Sequence, residues 1–273
     1  MTSVDLTTYV TFGYFVCGLL TLVACVATPK GSTFRRIGFG LLVVLWTVHT
    51  GAIGLRWAES YWQGIGHAPL SNLYESLVFF GWATALALIL VRWRFAEDTT
   101  VMVGIPVIFL TMASTFLLNP EIKPLVPALQ SNWLVAHVLT CFLGYAGFAV
   151  SFIAALLFLA AKGSDSLGDL LPSPALLDEI IYRSVLVGYP MLTLGIITGA
   201  AWADFAWGNY WSWDPKETWS LITWMVYSAF LHARLARGWT GRRIALLSVG
   251  GFASVLFTYF GVNLWLSGLH SYF

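Results

Sequence analysis

Thirteen consecutive residues, Trp207-Gly-Asn-Tyr-Trp-Ser-Trp-Asp-Pro-Lys-Glu-Thr-Trp219, carry four tryptophans together with Tyr210, Asp214, Lys216 and Glu217. They lie between two long apolar runs. An aromatic belt at a membrane edge accounts for one or two indoles there, but not for a dense cluster that also holds charges. Trp207, Trp211, Trp213 and Trp219 make a surface suited to a large, flat, hydrophobic ligand, with Asp214 and Lys216 at its polar edge. The other residue type able to do chemistry is histidine, at positions 49, 67, 137, 232 and 270. Nothing in the chain has the spacing of a nucleophile with its base or of an acid–base pair.

Composition decides where such residues sit. Of 273 residues, 58% are apolar and 10% charged, the balance of a membrane protein. A net charge of +1 leaves no electrostatic footprint for nucleic acid. Cys17, Cys25 and Cys141 fall in apolar runs, form no CxxC pair and read as small packing residues. No CxxCH sequence is present, so the chain is not itself a c-type cytochrome. The start, Met1-Thr-Ser-Val-Asp-Leu6, has no basic residue ahead of the first apolar run. It reads as a retained membrane helix and not as a cleaved signal peptide.

About 20 apolar residues cross a bilayer. Eight such stretches run roughly over 8–28, 37–57, 73–92, 101–118, 133–161, 184–204, 218–236 and 244–266. The expected fold is all-α: a polytopic membrane protein of about eight transmembrane helices, one integral domain over residues 1–273. Residues 163–182, with Asp165, Asp169, Pro172, Pro174, Asp178 and Glu179, read as a loop with a short surface helix. Under these spans Lys30, Arg35, Arg36, Arg92, Arg94, Lys162, Arg183, Arg234, Arg237, Arg242 and Arg243 fall on one side, and Arg56, Lys123 and Lys216 on the other. The positive-inside rule makes the first side cytoplasmic. Both termini and the segment 205–219 then face outward.

Helix-start chemistry marks the outer boundaries. Asp214-Pro215-Lys216-Glu217 has an N-cap, a proline for the first helical position and a glutamate able to close a capping box. Asn72-Leu-Tyr-Glu75 repeats the pattern, and Asn132 is placed to cap the fifth span. Capping is therefore the plain structural alternative for Asp214, Glu217 and Glu75.

By depth, His67, His137 and His270 lie on the outer side with the tryptophan segment. Two neutral imidazoles ligate a haem iron from opposite faces. His137 and His270 are candidates for that pair, with indoles against the porphyrin and Lys216 at a propionate; the alternative is two interfacial histidines with polar tips. His232 is roughly 20 Å and His49 about 10 Å below the outer ends of their helices. An ionisable group at such depth is a functional candidate by default. For His232 the alternative is a polar stripe with Met225 and Ser228 against a neighbouring helix. His67 precedes a proline turn, where turn architecture accounts for it.

The segment 207–219 resembles the tryptophan-rich WWD signature of the haem-handling proteins of cytochrome c maturation. Its Lys216-Glu-Thr-Trp219 continuation is more similar to the CcsA/ResC branch than to the CcmC or CcmF branches. Gly66-His-Ala-Pro-Leu-Ser-Asn-Leu-Tyr-Glu-Ser-Leu77 is a second segment similar to that branch, and the likeness covers nearly the whole chain. The resemblance implies that His137 and His270 are the external haem ligands and that His232 is the transmembrane ligand, paired with a histidine of a CcsB/ResB-like protein. It further implies haem b, an apocytochrome c CxxCH segment and thioredoxin-like thiol reductants as partners, in the plasma (inner) membrane with the site on the periplasmic side. A haem exporter or loader, and a membrane cytochrome with resident haem, are the rival expectations.

Overall fold

The computed structural model describes residues 1–29, 32–163, 170–266 and 268, and every regular element among them is helical. The long helices are α1 (Ser3–Ala27), α2 (Thr33–Trp62), α3 (Leu73–Phe95), α4 (Thr99–Ala113), α5 (Asn132–Gly163), α6 (Pro174–Trp207), α7 (Pro215–Leu235) and α8 (Arg242–Leu256). A 3-10 turn extends α4 through Leu117, and a π-helical turn, Phe257–Gly261, joins α8 to the short α9 (Val262–Trp265). Seven of the helical segments are long and apolar enough to cross a membrane. The remaining long helix, α7, has 21 residues, with Glu217 in its first turn and His232 and Arg234 in its last. The expected all-α, polytopic fold holds.

The sequence reading was wrong at two helix starts. Residues 174–182 are not a loop with a separate surface helix: they open α6, which runs unbroken for 34 residues. Ser173 caps it, accepting from Leu176 N at 3.3 Å, and Pro174 occupies the first helical position. Acidic residues that looked like loop chemistry are tied down instead. Asp178 pairs with Arg234 at 2.7 Å and Glu179 with Arg183 at 2.7 Å. At α5, Asn132 is already helical and Ser131 does the capping, its Oγ accepting from Trp133 N at 3.2 Å.

The helices gather into two compact groups, α1–α4 and α5–α9. In the first, α1 packs on α2 and α4, and α3 on α4 and α2. The inner face of α1 is rich in small and hydroxyl-bearing residues: Ser3, Thr7, Thr11, Gly18 and Thr21 are buried there with Val10 and Tyr14, while Phe12, Val16, Leu19 and Val23 point outward. Thr7, Thr11 and Thr21 satisfy their hydroxyls on carbonyls one turn back, each at 2.8 Å. A soluble helix does the reverse. Between hydrocarbon-solvated helices no hydrophobic force distinguishes inside from outside, so small residues that let backbones approach take the interface. Between α2 and α3, Arg56 Nε donates to Glu75 Oε1 at 2.8 Å with both side chains buried. Glu75 Oε2 accepts from Ser71 N and Oγ at the start of α3, and Asn72 caps that helix.

In the second group α5 and α6 run together along much of their length. Their backbones touch: a Cβ at Gly188 would lie 2.8 Å from Gly144 O, and one at Gly147 would lie 2.9 Å from Ser184 O. Gly188→Ala should therefore force the pair apart and cost about 1–3 kcal/mol. Gly54→Ala, with nothing within 4 Å of its Cβ, should stabilise by up to about 1 kcal/mol through helix propensity. Thermal unfolding of the detergent-solubilised protein checks this: the two midpoints should move in opposite directions.

Candidate functional site

The tryptophan segment is a seven-residue loop, 208–214, between two helix ends. Gly208 ends α6 in the left-handed conformation, φ 74°, and its N–H returns to Asp204 O at 2.8 Å. Asp214 starts α7 with the expected capping box. Its carboxylate accepts from Lys216 N at 3.0 Å, and Glu217 Oε2 accepts from Asp214 N at 3.2 Å and from Ser212 N at 2.8 Å. The loop thus spends two carboxylates on backbone donors. Trp213 sits at φ 58°, a region that costs a non-glycine residue conformational energy. Its indole is 69% exposed.

The indoles have different surroundings. Trp211 and Trp213 meet edge to face, with centroids 5.7 Å apart. Trp207 meets Trp202 of α6 edge to face at 4.9 Å. Trp219 lies 4.0 Å from Phe257, which also meets Trp265 at 6.0 Å. The π-helical turn sets that contact: Thr258 Oγ1 reaches Trp219 O at 3.1 Å and Thr223 Oγ1 at 2.9 Å. Such turns insert an extra residue into a helix and recur at functional sites. Lys216 Nζ donates to Asn263 Oδ1 at 2.9 Å, tying the start of α7 to α9. Gly268 lies directly against Asp214 and Pro215. His270, two positions on, is outside the described residues.

His137, half-buried on α5, joins this assembly through its ring. Nδ1 lies 2.7 Å from Gly195 O, and the imidazole stacks on Trp202 with centroids 6.0 Å apart and planes 18° apart. Rings 137, 202 and 207 therefore run in series from α5 to the edge of the loop. Trp202 is anchored by its own Nε1, which donates to Ala128 O at 2.7 Å. His232 is exposed on α7, as is Met225, while Ser228 is bonded to Tyr189 OH at 2.8 Å. The packed polar stripe is thus realised at Ser228 and not at His232. His49 is buried in the first helix group beside Tyr14, whose OH is 3.3 Å from Nδ1. His67 is a strut between loops: its ring nitrogens lie 2.9 Å from Ala68 O and 3.0 Å from Lys123 O.

Trp202, Gly195, Gly199 and Asn263 were not read from the sequence as site residues. Gly195 and Gly199 do carry a signal, two small residues one turn apart. Trp202 continues their face three residues later, but only its partner helix shows what the face meets.

Fold and site together define a polytopic helical membrane protein with a tryptophan-rich loop joined by a series of ring contacts to a carbonyl-anchored histidine. Residues 70–270 match the family model described as cytochrome c assembly protein. The cytochrome c biogenesis protein CcsA of Parasynechococcus marenigrum is 40% identical, with 98% of this chain and 96% of that protein covered. The CcsA proteins of Chlamydomonas reinhardtii and Guillardia theta are 41% and 38% identical, each over 93% of this chain and over 72% and 93% of their own lengths. The chain belongs to the cytochrome c assembly protein family, in its CcsA branch, as the two sequence motifs implied.

The loop geometry makes a prediction of its own. Glu217→Ala leaves the Ser212 and Asp214 amides without their acceptor and should cost about 1–3 kcal/mol. Asp214→Asn keeps an acceptor for Lys216 N and should cost only a few tenths of a kcal/mol, since Asn caps about as well as Asp. Thermal midpoints of the two variants, read by tryptophan fluorescence, should rank in that order.

Proposed function

We propose that this membrane protein binds haem b as its substrate and holds it at the tryptophan loop, between His137 and His270, for attachment to the CxxCH segment of an apocytochrome c. Membership of the family supports a role in cytochrome c biogenesis. The observation that carries the finer reading is the state of His137. A carbonyl only accepts, so a ring nitrogen 2.7 Å from Gly195 O carries the hydrogen. The other nitrogen, Nε2, keeps its lone pair and has no hydrogen-bond partner among the described residues. That is the arrangement a metal-ligating imidazole needs.

The surroundings fit a porphyrin. Trp211 and Trp213 offer aromatic faces at the loop surface. Lys216 spends one of its three donors on Asn263, which leaves two for a propionate. Gly268 against Asp214 brings the chain to the loop two residues ahead of His270. In thioether formation each cysteine S–H adds across a vinyl group: sulfur bonds one carbon, the proton ends on the other, and no net oxidation occurs. The chain contributes orientation and proximity, with no acid–base pair of its own. The peptide's histidine displaces one axial ligand, which favours release.

His232 serves an earlier site within the membrane. Its exposure on α7 suits a ligand whose partner histidine comes from a CcsB/ResB-like chain, and lyase activity then belongs to that complex. The two charge sides of the sequence orient the loop outward, to the periplasmic face of a plasma membrane, with one integral membrane unit spanning the chain. Thioredoxin-like reductants would keep the CxxCH thiols reduced.

Haem spectra of the chain with its CcsB-like partner test the reading. His137→Gly and His270→Gly should each lose most of the loop-site haem, and added imidazole should restore part of it. Full haem retention by both variants without imidazole would sink the ligand assignment. Trp211→Ala with Trp213→Ala should lower haem content and maturation several-fold; unchanged values would remove the indoles from the site. Co-purification with a CxxCH peptide supports attachment, whereas capture of a haem carrier in its place favours an exporter.

A further inference from the structure

We propose that Gly195, Gly199 and Trp202 of α6 are positioning residues: they lock the His137 imidazole in the tautomer and orientation that present Nε2 to iron. The inference rests on the reading of His137 as a haem ligand and concerns what makes it one. Three observations converge on the ring. Gly195 O fixes which nitrogen carries the hydrogen, at 2.7 Å. A Cβ at position 199 would lie 2.6 Å from Nδ1 and 2.8 Å from Cε1, so only glycine there lets the ring lie down on α6. Trp202 stacks on the ring with its plane 18° from the imidazole, and is itself immobilised by burial and by its bond to Ala128 O.

The helix below completes the seat. Cys141, one turn along α5, places its Sγ 3.7 Å from Nδ1. A Cβ at Gly195 would fall 2.5 Å from that sulfur, so Gly195 leaves room for Cys141 as well as supplying the carbonyl. The thiol cannot impose the opposite tautomer, because a bare Nδ1 would then face the carbonyl lone pairs at hydrogen-bond distance. The seat has an electronic consequence. A ligating histidine whose other N–H is bonded to an acceptor is a stronger donor, which favours ferric iron and lowers the midpoint potential. Loosening the seat should therefore weaken haem and raise its potential together.

The test uses the chain in complex with its CcsB-like partner, haem-loaded as isolated, and compares Gly199→Ala, Trp202→Phe and Trp202→Leu with His137→Gly. The readouts are haem affinity per folded complex, the low-spin spectrum and the midpoint potential. Gly199→Ala and Trp202→Leu should each weaken haem by roughly 10–100-fold, the range for losing a partner that orients a metal ligand, and should move the potential positive. Trp202→Phe, which keeps a ring on the imidazole, should stay nearer wild type. Wild-type affinity, spectrum and potential in Gly199→Ala, with haem lost in His137→Gly, overturn the seat and leave the ligand assignment standing. Full retention of the loop-site haem by His137→Gly without imidazole, with haem at the His232 site counted separately through His232→Gly, overturns the ligand assignment and the seat with it. If Gly199→Ala does not fold, imidazole titration decides: His137→Gly with Trp202→Leu should need about tenfold more imidazole for half-recovery than His137→Gly alone, and equal requirements overturn the proposal.

Discussion

The second helix group depends on the approach of α5 to α6 at backbone contact. Where Gly188 faces Gly144 and Gly147 faces Ser184, a Cβ added at any of the three glycines would come within 3.0 Å of a main-chain atom of the other helix. Distance between the two helices is therefore set by peptide groups, which do not change rotamer, and not by deformable side chains. That stiffness reaches the site. Gly195 O and Gly199 lie further along the same face of α6, and the 2.7 Å bond to His137 exists only at this separation. In lipid such a seam gains nothing from expelling water. It is held by dispersion between close-packed backbones and by the few polar bonds that cross it.

The first helix group solves the same problem with hydroxyls and a buried ion pair. Threonines on α1 bond to their own helix, so that they face a neighbour without demanding a partner from it. Arg56 and Glu75 are costly to bury. The cost is reduced because Glu75 also accepts from Ser71 and the Arg56 guanidinium lies 4.9 Å from the centre of the Tyr74 ring. Such a pair fixes register between α2 and α3, since a shift of either helix would strand a charge in a medium that cannot solvate it.

Much of this was legible in the sequence where the controlling interaction is local. The cap at Asp214, the proline after it and the Glu217 that closes the box lie within four residues, and the structure builds them as read. The cap at Asn72 is equally local. The start of α6 was misread because Asp178 and Glu179 look like loop residues until Arg234, 56 positions away in sequence, is seen to neutralise the first of them. For the same reason Lys216 gave no hint of Asn263, nor His137 of Gly195. The tryptophans were readable as a group by density alone, but their division between Trp202, Phe257 and each other is a property of tertiary packing.

Among the long helices α7 stands apart in being less apolar than the spans around it, with charged or ionisable residues at both ends and an exposed histidine. A helix of this kind gains little from lipid on its own, so its residence in a bilayer leans on its neighbours. During synthesis α6 is complete before α7 emerges, and a six-residue connection later α8 supplies a second apolar wall. Holding α7 in place is then a task of the α6–α7–α8 trio. The loop that carries the tryptophans begins at the end of α6 and runs into α7, so its position depends on how firmly those neighbours hold a helix that lipid alone holds weakly.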